Sequence, residues 1–293
     1  MTTPARTLEW VPLPDGRRLF ATVLPGPRPD GPTVVFEAGA GAGRSSWALV
    51  QPAVAPHARA VAYDRSGLGR SAPDPADRTL THMADDLGAL LDHFGPGPFV
   101  LVGHSAGGPL VRLAAARRPE RIAGLVLVDP TDEAADVLFT RRFRRTERTA
   151  LLLGTALAAL GLLRPLFRSH LARLPDEARR DTSREGFTTT VLRTQRHQAR
   201  TYLDELAAWR DAPPDTGDIP VTVISGALPG DGMNTTLRAK ANTSHAHRAG
   251  QSPNGRHVTA AGSGHYVPLT EPEVVVREVL TLLPPPPAAA DTA

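Results

Sequence analysis

Short apolar runs alternate along the chain with segments whose apolar positions recur every three or four residues, and the alternation is regular from about residue 33 onward. The runs Thr33–Glu37, Ala60–Asp64, Phe99–Gly103, Leu125–Asp129, Val221–Ser225 and His257–Ala260 are mostly apolar without a two-residue period, and three of the six end in Gly or Asp. That pattern predicts central strands covered on both faces. Ahead of them, Thr7–Leu13 and Arg17–Leu24 flank the turn Pro14-Asp15-Gly16 and predict an antiparallel pair. Helical periodicity covers Ser45–Val54, Thr81–Phe94, Gly107–Arg118 and Glu273–Leu283. In the second of these, Met83, Leu87, Leu90, Leu91 and Phe94 make one stripe, and Thr81 is placed to cap it. The sum is an α/β fold with a mostly parallel sheet flanked by helices.

One long stretch interrupts the alternation. Between Pro130 and Pro214 no strand pattern appears, and the segment reads as several helices, among them the apolar Thr149–Leu163 and the amphipathic Thr201–Trp209. The expected organisation is therefore a core of residues 1–129 and 215–283, an all-helical cap of residues 130–214 inserted after the sixth strand, and a Pro- and Ala-rich tail of residues 284–293 with too little to bury to be ordered. An insertion at that point lies over the carboxyl edge of the sheet, where open α/β sheets place their ligands.

Composition narrows the chemistry. With 293 residues, 41% of them hydrophobic, the chain can bury a sizeable core, and the absence of cysteine excludes disulfides, Cys-ligated zinc, iron–sulfur clusters and thiol nucleophiles. Thirty-three basic against thirty acidic residues leave a net charge of +3, so the pI of about 9.9 reflects a small arginine excess and not a dense basic face; a nucleic-acid partner is not expected. The first residues have no apolar core ahead of a small-residue cleavage site, and a cytoplasmic location is expected. Thr149–Leu163, the longest stretch free of both charged residues and histidine, falls short of the roughly 20 residues a spanning helix needs, so no transmembrane segment is predicted.

The chemistry-bearing segment is Gly103-His104-Ser105-Ala106-Gly107, set between an apolar run and a helix. A strand, a sharp turn and a helix are the setting of a nucleophile elbow: small residues at 103 and 107 let the two backbones pass, which thrusts the serine hydroxyl outward and aims the next amide at a developing oxyanion. Two further segments belong with it. Tyr63-Asp64-Arg65-Ser66-Gly67-Leu68-Gly69-Arg70-Ser71 follows the strand before the elbow, and Gly262-Ser263-Gly264-His265 follows the last strand. With these three motifs the chain resembles the α/β-hydrolases from about residue 7 to residue 283, as a serine esterase-like or lipase-like member with a helical lid.

The resemblance implies a triad. Ser105 is the expected nucleophile, and His265, glycine-framed before the last helix, the expected base among ten histidines; the other nine are read as solvated, packed or pocket-lining rings. For the acid two positions stand open. The family most often carries it just after the strand Val221–Ser225, but the usual position holds Pro229, leaving Asp231 two residues on. Asp129, at the tip of the strand Leu125–Val128 and 24 residues beyond Ser105, matches a minority of the family and is the preferred candidate. The oxyanion donors implied are the N–H groups of Ala106 and of Ala40, on the loop Glu37–Gly43 where the family commonly has His-Gly. Asp64 and Arg65 are expected to fix a loop. No cofactor and no metal are expected, since His245 and His247 lack a neighbouring carboxylate.

The implied activity is hydrolysis of carboxylic esters with hydrophobic parts through an acyl-enzyme, with thioester, amide or lactone cleavage or acyl transfer as alternatives on the same triad. A non-catalytic ligand-binding or membrane-surface protein on this scaffold is the alternative of another class. Arg141-Arg142-Phe143-Arg144-Arg145 ahead of an apolar helix is read chiefly as a lid with an apolar underside, with a weak membrane-surface contact as the lesser reading. Oligomeric state is not legible.

Overall fold

The computed structural model describes residues 6–283, so the tail expected at 284–293 lies outside it. Eight strands form one sheet: β1 (Thr7–Pro12), β2 (Arg18–Leu24), β3 (Thr33–Glu37), β4 (Arg59–Asp64), β5 (Phe99–His104), β6 (Ile122–Val128), β7 (Val221–Gly226) and β8 (Gly255–Ala260). Their spatial order is β1-β2-β4-β3-β5-β6-β7-β8. β1 pairs with β2 and β2 with β4 antiparallel; every later pairing is parallel.

The apolar runs are continuous because the sheet is covered twice. Along β5, Phe99 and Leu101 pack into the layer containing Leu87, Leu90 and Val111, whereas Val100 and Val102 pack into the layer containing Trp47, Val54, Val275 and Val279. The same division separates Val35 from Val34 and Phe36, and Leu127 from Val126 and Val128. Burying all these side chains, at about 25 cal/mol per Å² of apolar surface, is what fixes the two-sided sheet.

The principal helices are α1 (Leu80–His93), α2 (Gly107–Arg117), α3 (Arg141–Ala159), α4 (Asp176–Glu185), α5 (Thr189–Gln198), α6 (Tyr202–Ala208), α7 (Thr235–Gly250) and α8 (Pro272–Thr281). Three sequence expectations need correction. The cap of α1 is Thr79, whose Oγ1 accepts from the His82 amide at 3.0 Å, and Thr81 lies inside the helix. The helix expected over Ser45–Val54 is a 3-10 turn (Arg44–Trp47) and a separate α-turn (Gln51–Val54), because Pro52 offers no N–H and its ring crowds the preceding turn. The sixteen-residue α7 was not anticipated: its apolar residues are mostly alanines, and it buries Arg238, Ser244 and His245 in place of a hydrophobic stripe.

Between β6 and β7 all regular elements are helical, and this insertion is fastened to the sheet domain at several points. Tyr202, Leu203 and Leu206 pack on Leu80, Met83, Ala106 and Leu110, and Val191 and Leu192 pack on Leu68. Arg44, buried to 6% exposure, bonds Asp64 of the core and Asp181 and Glu185 of α4. Among the described residues no helix is long and apolar enough to cross a membrane.

Candidate active site

β5 delivers Ser105 to the carboxyl edge of the sheet, and the turn there is as tight as its glycines suggest. A side chain at Gly103 would meet the Gly107 carbonyl and Val111 Cγ2 at 2.7 Å, and one at Gly107 would meet the carbonyls of Glu37 and Ala38 at 2.7 Å. Ser105 has φ +53, its amide bonds the Val128 carbonyl at 3.0 Å, and its own carbonyl accepts from Gly108 and Thr131 at 3.0 Å. Among the described residues only three other than glycine have positive φ, namely Ser105, Asp129 and Asp231. Such conformations cost on the order of 1–3 kcal/mol each and cluster at functional sites.

The side chains meet in one line. Ser105 Oγ lies 3.0 Å from His265 Nε2, and His265 Nδ1 lies 2.6 Å from Asp129 Oδ2. The other carboxylate oxygen of Asp129 accepts from the Gly226 amide at 3.0 Å and from Arg238 Nη1 at 2.5 Å. Burial alone would raise the Asp129 carboxyl, but the hydrogen bond and charge of His265, with the charge of Arg238, hold it well below the usual carboxylate range. Asp231 does not reach the imidazole. Its Oδ2 accepts from the His265 main-chain amide at 3.2 Å and its Oδ1 faces His170 Nε2 of the cap at 3.1 Å, so it braces the loop that carries the ring.

The loop beside the elbow is held from below. Arg65 donates to the Ala38 and Gly39 carbonyls and to the buried Glu37, which also accepts from Tyr63 Oη. Asp64 and Arg65 therefore both fix loops, as expected, though not as a pair: Asp64 accepts from Arg44 and from the Arg70 amide. Burial pushes the Glu37 and Asp64 carboxyls up despite their arginine partners. Gly39 stands so close to the elbow that a Cβ there would lie 3.3 Å from Ser105 Cβ. Among the described residues, neither the Ala40 nor the Ala106 N–H has a protein hydrogen-bond acceptor, while the Ala106 carbonyl accepts from Tyr202 Oη at 3.0 Å.

His104 is a packed ring, donating from Nε2 to the His265 carbonyl at 2.9 Å; burial, and then the neighbouring His265, lower it to about 3, so it is neutral. Behind Asp129, His245 bonds the Pro130 carbonyl and Ser225, both at 2.8 Å, and is likewise kept neutral chiefly by burial. Among the described residues one His and carboxylate cluster has metal-like spacing, Asp74, His82 and Asp86, but Arg17 donates to both carboxylates and already supplies their cation.

Ser105 and His265 open into a cavity of about 470 Å³. The cap contributes its apolar wall through Leu151, Gly154, Leu163, Phe167, Val191 and Leu192. Arg238, His170 and the Gly226 amide were not singled out in the sequence. No short-range signal marks them, since each comes to the site from a segment distant in sequence from Ser105.

A family model described as the alpha/beta hydrolase fold matches residues 32–272, and the chain belongs to that family. A Caulobacter sp. (strain K31) protein named "Putative carbamate hydrolase RutD" is 32% identical over 273 residues, covering 90% of this chain and 95% of that protein. A protein of the same name from Klebsiella pneumoniae (strain 342) is 38% identical over 108 residues, 36% of this chain and 41% of its own length. The fold is also that of the epoxide hydrolase CorEH (TM-score 0.74, 20% identity, 95% of this chain and 98% of that one). Cfl2 from Burkholderia cenocepacia shares it too (TM-score 0.71, 22% identity, 95% and 96%).

Proposed function

We propose that the protein is a serine hydrolase that cleaves carboxylic esters with apolar parts. The observation that carries this reading is the unbroken hydrogen-bonded line from Ser105 Oγ through the His265 ring to Asp129, opening onto a largely apolar cavity. In it, Ser105 Oγ attacks the carbonyl carbon as its proton passes to His265 Nε2, and Asp129 holds Nδ1–H and stabilises the imidazolium. The oxyanion is received by the Ala40 and Ala106 amides, whose donors are otherwise uncommitted. Collapse expels the alcohol, which takes the proton from Nε2; water, deprotonated by the same nitrogen, then releases the acid and restores Ser105. Thioester, amide or lactone cleavage and acyl transfer use the same residues.

A second reading, carbamate hydrolysis, is favoured by the relative that is 32% identical over nearly the whole chain. Epoxide opening is not, because it needs a carboxylate nucleophile and position 105 is serine. The cysteine-free composition suits the cytoplasmic setting expected from the sequence.

A fluorophosphonate should label the wild type stoichiometrically on the peptide containing Ser105, and Ser105→Ala should lose both labelling and turnover of p-nitrophenyl butyrate, the latter by about 10³-fold or more. A Ser105→Ala variant that hydrolyses the ester at the wild-type rate would refute the assignment. Comparing p-nitrophenyl butyrate with a p-nitrophenyl carbamate separates the two substrate readings.

A further inference from the structure

The leucines between residues 151 and 166 divide between two environments. Leu151 and Leu163 line the cavity, but Leu152, Leu153, Leu160, Leu162 and Leu166 point outward with 53–71% of their surface exposed. Of the eight large hydrophobic side chains exposed among the described residues, five thus fall within fifteen consecutive positions. Single exposed leucines are ordinary; a cluster of this kind on a chain with water on all sides marks an interaction surface.

The charge around the cluster is equally uneven. On α3, Arg141, Arg142, Arg145 and Arg148 occupy the solvent side of the first two turns, and the exposed leucines continue the same side toward the helix end. Among the described residues none of these four arginines, nor Arg164 or Arg168 beside Leu166, has a carboxylate within ion-pair distance. Arg148 also borders an adjoining groove of about 670 Å³ lined by six arginines, Arg193, Arg196 and Arg200 among them, and by three carboxylates, those of Asp74, Glu147 and Asp204. Residues 141–200 hold fourteen arginines and five acidic residues, while the rest of the chain holds nineteen basic and twenty-five acidic ones. The net charge of +3 therefore conceals a basic segment.

We propose that the outer surface of α3 and the turns through Arg168 is a docking face for an anionic lipid surface, with the leucines entering the acyl boundary and the arginines meeting the phosphates. A second copy of the chain does not fit, since apposing the faces would bring unneutralised arginines together. A lipid surface meets both halves of the face at once, supplying negative charge and a fluid apolar phase for leucines carried on a helix end and a turn. The same segment forms the cavity wall through Leu163 and Phe167, so a docked molecule would hold the apolar side of its site against the layer in which amphiphilic substrates dissolve.

The test is flotation of the full chain with vesicles of phosphatidylcholine alone and of phosphatidylcholine with about one-third phosphatidylglycerol. Binding is expected to the anionic vesicles only and to weaken with added salt. It should fall about tenfold or more both in Leu152→Ser/Leu160→Ser/Leu166→Ser and in Arg141→Glu/Arg142→Glu/Arg145→Glu. These variants should keep wild-type turnover of p-nitrophenyl acetate in solution, which shows that they fold. Ser105→Ala should bind as the wild type does, so loss of the hydrolase reading and loss of this one are read separately. Absence of binding to the anionic vesicles overturns the proposal. So does binding that the leucine triple leaves unchanged, or equal competition by soluble poly-glutamate, because either result makes the face a purely electrostatic site for an acidic protein.

Discussion

A carboxylate that orients an imidazole while also pairing with a guanidinium divides its charge between them. Asp129 gives Oδ2 to His265 and Oδ1 to Arg238 and Gly226, so part of the field that would favour an imidazolium is spent on α7. The groups facing this pair are His245 from α7, Asp231 from the loop before it, His104 from β5, His170 from the cap and Tyr266 next to the base. Arg238→Met removes a positive charge without adding a new one. The acidic limb of the kcat/KM profile should then move to higher pH by about one unit. A purely structural role would lower the plateau and leave the limb in place. Asp129→Asn should cost about 10³–10⁴ in kcat by favouring the wrong tautomer, whereas Asp231→Asn, which keeps an oxygen for the His265 amide, should cost less than about tenfold. Ester turnover across pH for the three variants checks both statements. The resemblance to the family narrowed the acid to these two positions, one after the strand Val221–Ser225 and one at the tip of the strand Leu125–Val128. Between them the sequence supports only a preference for Asp129, because the choice depends on how far a backbone with positive φ turns each side chain toward residue 265.

At the level of elements, legibility followed apolar content. The six central strands were located to within about three residues because two-sided burial demands unbroken apolar runs, and the hairpin ahead of them because Asp15-Gly16 ends one strand and starts the next. Helix α7 was invisible for the converse reason. Its buried face is arginine and histidine paired with groups from β7 and the turn after β6, and a serine closed on its own helix, and polar burial of that kind leaves no periodic signature. The seam between cap and core was equally hidden, since Arg44 meets Asp181 and Glu185 across more than 130 positions. It is also where the cap is most vulnerable. Arg44→Met would leave Asp64 buried without its guanidinium and release α4, which should cost about 3 kcal/mol or more in urea unfolding. It should also make the 141–200 segment the first site of limited proteolysis. An Arg44→Met protein as stable as the wild type would show that the seam is held by the apolar contacts of α5 and α6 alone.

Across the molecule, several histidines are held away from protonation. Burial lowers His104 to about 3 and depresses His245 and His257 as well, while in the unfolded chain each of these rings takes up a proton near 6.5. Because their folded values lie below the unfolded ones, the unfolded state binds more protons once the pH drops under about 6.5, and stability is lost on acidification through that window. For His104 the loss continues down to about 3 and then levels off. One such ring contributes at most about 1.4 kcal/mol per pH unit. The raised carboxyls of Glu37 and Asp64 work in the opposite sense, binding protons in the folded state before the unfolded state does. The slope of the wild type alone therefore mixes groups, and the difference between two proteins isolates one. His104→Gln keeps a donor toward the His265 carbonyl and deletes the titrating ring, so its stability between pH 4 and 6, followed by urea unfolding, should fall less steeply than the wild type by about 1 kcal/mol per pH unit. Parallel curves would mean that the ring reaches water in the folded state, and with it the environment next to Ser105 that the proposed chemistry requires to be dry.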